Sequence, residues 1–294
     1  MALVLPLAVS EHYRAQQRLT VATLGLVRRE WARMGQDFDA SWAAIGPRLL
    51  VLTSAAQLGA ARNGVAYVPA ALSEVGQDVA ESGVTNPRAF AGFASDGRPL
   101  GSLLEGAKVR AKEAQSLDVG GRWLDMVVQT QIADASRAAA SVSIAARPKV
   151  GYVRMVNPPC CSRCAALAGK VFRFNQGFKR HPRCDCTHIP TLVANPDPDY
   201  IGASPQELFR SGQVKGLTAG EHQAIADGAD FSQVVNSHRA GQRSMTTSEG
   251  TTKRGLARER LGKGRQRLTP DAIYRLSSTR DEALRLLERN GYLL

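Results

Sequence analysis

All five cysteines of this chain lie within residues 160–186. Residues 160–164 read Cys-Cys-Ser-Arg-Cys, and residues 181–188 read His-Pro-Arg-Cys-Asp-Cys-Thr-His. A Cys-x2-Cys pair on a tight turn presents two thiolates to one ion, and a second pair about twenty residues later completes a tetrahedron. The segment is poor in apolar residues, and structural zinc contributes about 10 kcal/mol or more to folding in small modules. We therefore predict a small α+β module over residues 149–192 that is stapled by zinc.

The predicted zinc ligands are two pairs of cysteines: Cys161, Cys164, Cys184 and Cys186. His181, three residues before Cys184, is either a replacement ligand or a hydrogen-bonding partner of the ligands. Cys160 is a spare thiol in this interpretation, and His188 is expected at the surface rather than on the metal. The alternative for the cluster is two disulfides or five buried thiols. A secreted disulfide scaffold would normally distribute its cysteines along a much shorter chain, so a reducing compartment fits better.

A catalytic interpretation uses some of the same residues, with Cys160 or Cys161 as nucleophile and His181 as its base. A nucleophile needs one cysteine, whereas four more lie alongside in metal-ligand spacing, so we favour the metal site and predict no catalytic residue. The sequence contains no Gly-x-Ser-x-Gly elbow and no His-Glu-x-x-His pair. A serine–histidine protease without a local motif stays open as an alternative.

The chain before the cysteines is predicted to be a helical domain over residues 1–148. Apolar residues recur at helical spacing over residues 10–35, 39–64, 101–116 and 122–147, and turn signals between 83 and 101 indicate an irregular connection. Residues 151–156 alternate in the manner of a strand. The apolar run at residues 2–9 is too short to span a bilayer, so we expect a cytoplasmic protein without a membrane anchor.

The chain after the cysteines is predicted to fall into three parts. Residues 193–238 are expected to form loops and short helices, residues 239–267 a flexible basic linker, and residues 268–294 a short helical unit. The fold class is thus mainly α, with the small zinc-stapled module inserted.

Positive charge is concentrated in the predicted linker. The chain has a formal charge of +12, and residues 239–267 hold nine Lys or Arg against two Glu. Such a segment suits phosphate contacts that do not depend on sequence, although a solvated linker explains it equally well. The candidate nucleic-acid-binding residues are Arg239, Arg243, Lys253, Arg254, Arg258, Arg260, Lys263, Arg265 and Arg267.

The cysteine segment also resembles a known family. Residues 157–172 read Asn-Pro-Pro-Cys-Cys-Ser-Arg-Cys-Ala-Ala-Leu-Ala-Gly-Lys-Val-Phe, followed by His-Pro-Arg-Cys-Asp-Cys at 181–186 and Ile-Pro at 189–190. This is similar to the Cys-x2-Cys, Leu-x-Gly-Lys, His-Pro-x-Cys-x-Cys pattern of the phage Mu F-like minor head proteins, in particular to versions from phages of actinobacteria. The match spans about thirty-five residues. Cys160 and Asp185 depart from the commoner pattern.

The resemblance implies a structural minor capsid protein located in the phage head interior or at the portal vertex, and in the host cytoplasm during assembly. Its expected partners are the portal protein, the major capsid or scaffold protein, and double-stranded DNA. Related genes are often labelled capsid maturation protease, so an enzyme that cleaves scaffold or capsid protein is the alternative function. A sequence-specific DNA regulator is disfavoured because the helices after Thr269 are nearly neutral.

Overall fold

The computed structural model describes residues 6–176, 182, 184, 186–197, 203–237, 244–251 and 256–293. The fold is mainly helical, as predicted, with small sheet regions. Contacts between Cα atoms divide the chain into two compact units: Met1–Met155 with Gly169–Gly202, and Val156–Ala168 with Ala203–Leu294. The predicted boundaries at 148/149 and 192/193 do not coincide with this division.

The described α-helices are α1 (Leu7–Trp31), α2 (Phe38–Glu74), α3 (Leu100–Ala114), α4 (Leu117–Ala145), α5 (Ser162–Ala165), α6 (Pro205–Arg210), α7 (Ala219–Ala226), α8 (Phe231–Ser237), α9 (Leu256–Leu261), α10 (Pro270–Leu276) and α11 (Arg280–Arg289). The described strands are β1 (Val150–Met155), β2 (Cys160–Cys161), β3 (Val171–Arg173), β4 (Thr187–Leu192), β5 (Val214–Lys215), β6 (Thr246–Thr247) and β7 (Arg267–Leu268). A short 3-10 helix, Pro87–Phe90, lies in the predicted irregular connection.

The first unit is built on the four long helices α1 to α4, and α2 contacts each of the other three. Its main core is formed by apolar side chains of all four helices, among them Leu24, Leu49, Leu104 and Ile132. The side chain of Asp37 caps α2 by accepting hydrogen bonds from the N–H groups of Asp39 and Ala40. The four predicted helices are confirmed, with shifted ends.

The first unit also contains an antiparallel sheet in the order β3–β1–β4. Every residue of β1 is buried, and a second core cluster packs Val150, Tyr152 and Val153 with Tyr67 of α2 and Ile144 of α4. In the register of β1 and β4, Arg154 pairs with His188 and Met155 pairs with Thr187. The strand predicted at 151–156 is therefore confirmed, and it sits at the centre of its sheet.

The second unit combines short helices with two small strand pairs. Strands β2 and β5 pair in parallel, β6 and β7 pair antiparallel, and α10 packs on α7. Helices α6 and α7 each begin with a capping box, Ser204 with Glu207 and Thr218 with Glu221, as their sequences indicate. The two predicted C-terminal helices are present as α10 and α11.

The flexible linker predicted at 239–267 is wrong for the residues that the structure describes there. These residues form β6, α9 and β7. Thr251 donates from Oγ1 to the carbonyl oxygens of Ser248 and Arg265, and Ala257 is fully buried. Composition predicted disorder because the segment is poor in apolar residues, but hydrogen bonds between its polar groups order it. Residues 238–243 and 252–255 lie outside the described part.

Candidate metal centre

The cysteine pair Cys184 and Cys186 lies directly before β4 in the first unit. Both side chains are buried, each with 3% of its surface exposed, and their Sγ atoms are 3.4 Å apart. Because Thr187 begins β4 and pairs with Met155 of β1, the sheet fixes the chain immediately after Cys186. A Cys-x-Cys pair held in this way presents two sulfur atoms to one point.

Arg154 of β1 reaches the sulfur atoms of this pair. Its Nη2 atom donates to Cys186 Sγ at 3.2 Å and lies 3.8 Å from Cys184 Sγ. The residue is only 2% exposed. Hydrogen bonds to the charged form of a group stabilise that form, so this guanidinium favours thiolates over thiols at both positions.

Arg137 of α4 holds the backbone of the same pair. Its Nη1 atom donates to the carbonyl oxygen of Cys184 at 2.5 Å and to that of Cys186 at 3.3 Å. Its Nη2 atom donates to Asp134 Oδ1 at 2.7 Å, so the buried charge has a carboxylate partner. A helix of the four-helix core thereby fixes the cysteine backbone, while a strand contacts the cysteine sulfurs.

Cys164 belongs to the second unit. It lies in the short helix α5, which has Cys161 as its N-cap residue, and it is 4% exposed. Within the first unit, the Sγ atoms of Cys184 and Cys186 are 3.4 Å apart, a spacing at which two thiolates could share a metal ion. Sulfur ligands on tetrahedral zinc, with bonds of about 2.3 Å, are roughly 3.8 Å apart. The observed sulfur spacing therefore suits a thiolate-bound ion after small shifts.

Within the first unit, the structure brings together two of the five predicted metal ligands, Cys184 and Cys186. Within the second unit, Cys161 is half-buried and Cys164 is buried. His181 lies outside the described residues, so its role as ligand or as catalytic base stays a prediction. None of the five cysteines forms a disulfide. Cys160, the predicted spare thiol, is buried in β2, where its N–H donates to the carbonyl oxygen of Gln213.

The prediction that His188 is a surface residue is wrong. The side chain is buried, its ring stacks on Tyr152 with centroids 4.1 Å apart, and Nδ1 lies 3.2 Å from the hydroxyl of Ser141. It occupies the inner face of β4, opposite Arg154 in the register. The metal-ligand spacing of the sequence gave no indication of this packing role.

Arg137 and Arg154 were missed at the level of the sequence, although each carries a weak signal. Arg154 stands within the run of residues 150–155, whose other side chains are suited to a buried strand. Arg137 stands among small residues on α4, on a helical face that contains Ala140 and Ile144. A lone arginine in an apolar setting indicates a buried partner. The partner is the sulfur pair of Cys184 and Cys186 for Arg154, and it is Asp134 with the two cysteine carbonyl oxygens for Arg137.

Of the candidate nucleic-acid-binding residues, four lie at or near the surface, one is buried, and four lie outside the described residues. Lys263 and Arg265 are exposed, and Arg258 is half-buried. Arg260 forms an ion pair with Glu288 at 3.2 Å. The prediction is wrong for Arg267, which is 1% exposed. The remaining four lie outside the described residues: Arg239, Arg243, Lys253 and Arg254.

Arg267 is a structural residue of the second unit. Its guanidinium donates to Gln233 Oε1 at 3.2 Å and to the carbonyl oxygen of Asn290 at 3.4 Å, and it lies over the ring of Tyr292 at 4.4 Å. Burial lowers the pKa of Arg267 from its ordinary value. A side chain held in this way has no donors to offer a phosphate group at the surface.

No protein-family model, no curated protein and no solved structure matches this chain. Within the described residues, no helix has the length and apolar character that crossing a membrane requires.

Proposed function

We propose that this chain is a structural protein whose cysteine cluster binds one zinc ion. The observation that carries the proposal is the pair of buried sulfur atoms of Cys184 and Cys186, which lie 3.4 Å apart and are contacted by the guanidinium of Arg154. Four-coordinate sites closed by protein ligands are structural, whereas catalytic zinc keeps an open position for water or substrate. From the spacing in the sequence, Cys164 together with Cys161 or His181 would supply the two remaining ligands and close the site.

Zinc suits this donor set better than the other common divalent ions. Thiolates are soft ligands, which select zinc or an iron–sulfur cluster over magnesium and calcium. When bound, the ion would supply cross-linking rather than chemistry, since a d10 ion has no redox reaction. The chain's own residues hold the sulfur atoms in place through β1, β4 and α4.

The proposed biological role is that of a minor head protein of a tailed phage. It is supported by the resemblance of residues 157–190 to the Mu F-like pattern and by the cysteine cluster that this pattern contains. In this role the chain would associate with the portal and with the capsid or scaffold protein during head assembly, and it would be present in the virion. Exposed basic residues such as Lys263 and Arg265 would contact packaged double-stranded DNA.

The zinc proposal is tested by metal analysis of the purified full-length chain and of two cysteine variants. We expect about one zinc per chain in the wild-type protein. Cys184→Ser should lose most of it because one of the two adjacent sulfur atoms is removed. Cys160→Ser is the matched control, since Cys160 is a buried cysteine outside the proposed ligand set, and it should keep its zinc. Wild-type protein that is free of metal after reducing purification would refute the proposal.

The head-protein proposal needs a separate test, because a zinc site alone does not identify a phage protein. The chain would be produced together with a phage portal protein from the same genome, and the complex isolated through a tag on the portal. We expect the full-length chain to be retained and to appear by mass spectrometry in mature virions. Absence from both the portal complex and the virion would reject this role and leave the zinc site standing.

A further inference from the structure

We propose that Arg154 is a positioning residue of the metal centre, which holds the Cys184 and Cys186 thiolates by N–H···S hydrogen bonds and offsets part of their negative charge. The inference rests on the zinc site proposed above. It is carried by the two sulfur contacts of Arg154, at 3.2 Å and 3.8 Å, and by the burial of all three residues.

The charge of the proposed site makes such a residue necessary. A zinc ion with four thiolates carries a net charge of −2, and one with three thiolates and a neutral imidazole carries −1. An uncompensated charge is strongly unfavourable in a protein interior. Arg154 places one positive charge directly against two of the sulfur atoms, so the buried centre is closer to neutral.

Geometry makes arginine more suitable than lysine at this position. A guanidinium is planar and donates from fixed positions, whereas an ammonium group is a strongly hydrated point charge that loses more on burial. Strand β1 fixes the position from which the guanidinium of Arg154 extends, because Arg154 pairs with His188 in a register that continues to Met155 and Thr187. The same register fixes the chain that follows Cys186.

Two arginines therefore act on the cysteine pair at different atoms. Arg137 donates to the carbonyl oxygens of Cys184 and Cys186, and Arg154 donates to their sulfur atoms. Arg137 shares its charge with Asp134, as described above. Removing Arg137 should therefore move the backbone, whereas removing Arg154 should change the electronic character of the thiolates.

The test is the spectrum and affinity of the cobalt-substituted full-length protein. Cobalt reports its sulfur ligands through thiolate-to-metal charge-transfer bands. In Arg154→Met, the thiolates lose hydrogen bonds and donate more strongly, so we expect these bands to shift to longer wavelength. Partners of this kind are typically worth 10- to 100-fold in metal affinity, so competition with a chelator should show a loss of about that size for zinc.

The matched control is Arg147→Met, which removes another buried arginine of the same unit. Arg147 donates to Ser143 and pairs with Glu81 at 3.3 Å, away from the cysteines. We expect it to lower stability and to leave the cobalt bands and the zinc affinity unchanged. Should Arg154→Met fail to fold, Arg154→Lys keeps the charge with a different donor geometry, and its bands should move in the same direction by less.

The outcomes separate this inference from the proposed function. If the wild-type protein shows no thiolate-to-cobalt bands, the metal site itself is wrong and the inference falls with it. If the wild-type protein shows them, but the bands and affinity of the folded Arg154 variants equal those of the wild type, the zinc site stands and the role of Arg154 is refuted.

Discussion

Arg137 of α4 donates a hydrogen bond from Nη1 to the carbonyl oxygen of Cys184, at 2.5 Å. The contact joins residues 47 positions apart and ties the cysteine pair to a core helix of the same unit. This hydrogen bond should contribute more to stability than an exposed one, because a hydrogen bond to a charged group is stronger in the protein interior than in water.

Arg137→Met should therefore destabilise the protein by about 3 kcal/mol, the typical cost of breaking a buried ionic network. The loss has two sources: carbonyl oxygens left without a donor and a carboxylate, that of Asp134, left without its partner. The free energy of unfolding in urea measures it. Arg28→Met is the control, since the Arg28–Asp125 pair lies at the surface and its loss should cost less than about 1 kcal/mol. Equal effects of the two changes would contradict the structural role of Arg137.

Two glycines of the long helices should respond in opposite directions to replacement by alanine. A Cβ atom at Gly64 of α2 would lie 2.4 Å from the carbonyl oxygen of Ser136 on α4, whereas one at Gly25 of α1 would meet only the end of Arg29 at 3.9 Å. We expect Gly64→Ala to cost about 1–3 kcal/mol through overpacking, and Gly25→Ala to stabilise by about 0.5–1 kcal/mol. Thermal unfolding of both variants measures these changes in stability. Stabilisation by Gly64→Ala would show that α2 and α4 do not approach each other as closely at Gly64 as the structure has it.

His12 should make the stability of the first unit depend on pH. Burial lowers the pKa of His12 to about 4, against an ordinary value of 6.5, and the hydrogen bond with Asn63 opposes this only in part. The unfolded chain thus binds a proton between pH 6.5 and 4 that the folded chain does not. The contribution of neutral His12 to the free energy of unfolding is therefore fully present above pH 6.5, and it falls by about 2 kcal/mol between pH 7.5 and pH 5.

The measurement is the difference between wild type and His12→Gln in urea unfolding at pH 7.5 and at pH 5. Acid release of metal is common to both proteins and cancels in the difference. We expect His12→Gln to lose the part of the fall in stability between pH 7.5 and pH 5 that His12 causes. His222→Gln replaces an exposed histidine, and this control should show the same fall in stability as the wild type. An equal dependence in all three proteins would show that His12 is not held neutral.

The basic residues of segment 239–267 should have two different roles, DNA contact for the exposed ones and stabilisation of the fold for the buried Arg267. Replacing Lys263 and Arg265 by glutamine should weaken binding to double-stranded DNA at low salt and reduce the slope of log affinity against log salt by about 2, with stability unchanged. Arg267→Gln should lower the stability and leave the DNA affinity and the salt slope unchanged, because the guanidinium of Arg267 is buried against Tyr292. Unchanged DNA affinity in the double variant would remove the DNA role of these two residues.

The helices of this fold could be predicted from apolar spacing, but the end of α2 could not. Gly64 is a common stop signal, and the sequence predicted a helix that ends there. The helix continues to Glu74 through Pro69, and Gly64 serves the close approach of α4 instead. The sequence does not show which function a glycine has, because the partner residue, Ser136, is 72 positions away.

The candidate site could be predicted in part for a similar reason. Spacing along the chain singled out Cys184 and Cys186 as one pair, because metal ligands come in short local pairs, and the structure places their Sγ atoms 3.4 Å apart. The arginines that contact the pair belong to α4 and β1, so only the fold reveals them. Arg267 was misassigned because net charge along a segment does not distinguish an exposed guanidinium from a buried one.

Zinc K-edge X-ray absorption of the wild-type full-length protein, purified under reducing conditions, shows whether zinc is bound and which atoms bind it. We predict about one zinc per chain and a first shell dominated by three or four sulfur atoms at about 2.3 Å. A first shell of oxygen and nitrogen atoms alone, or protein without bound zinc, would contradict the proposed metal centre at Cys184 and Cys186.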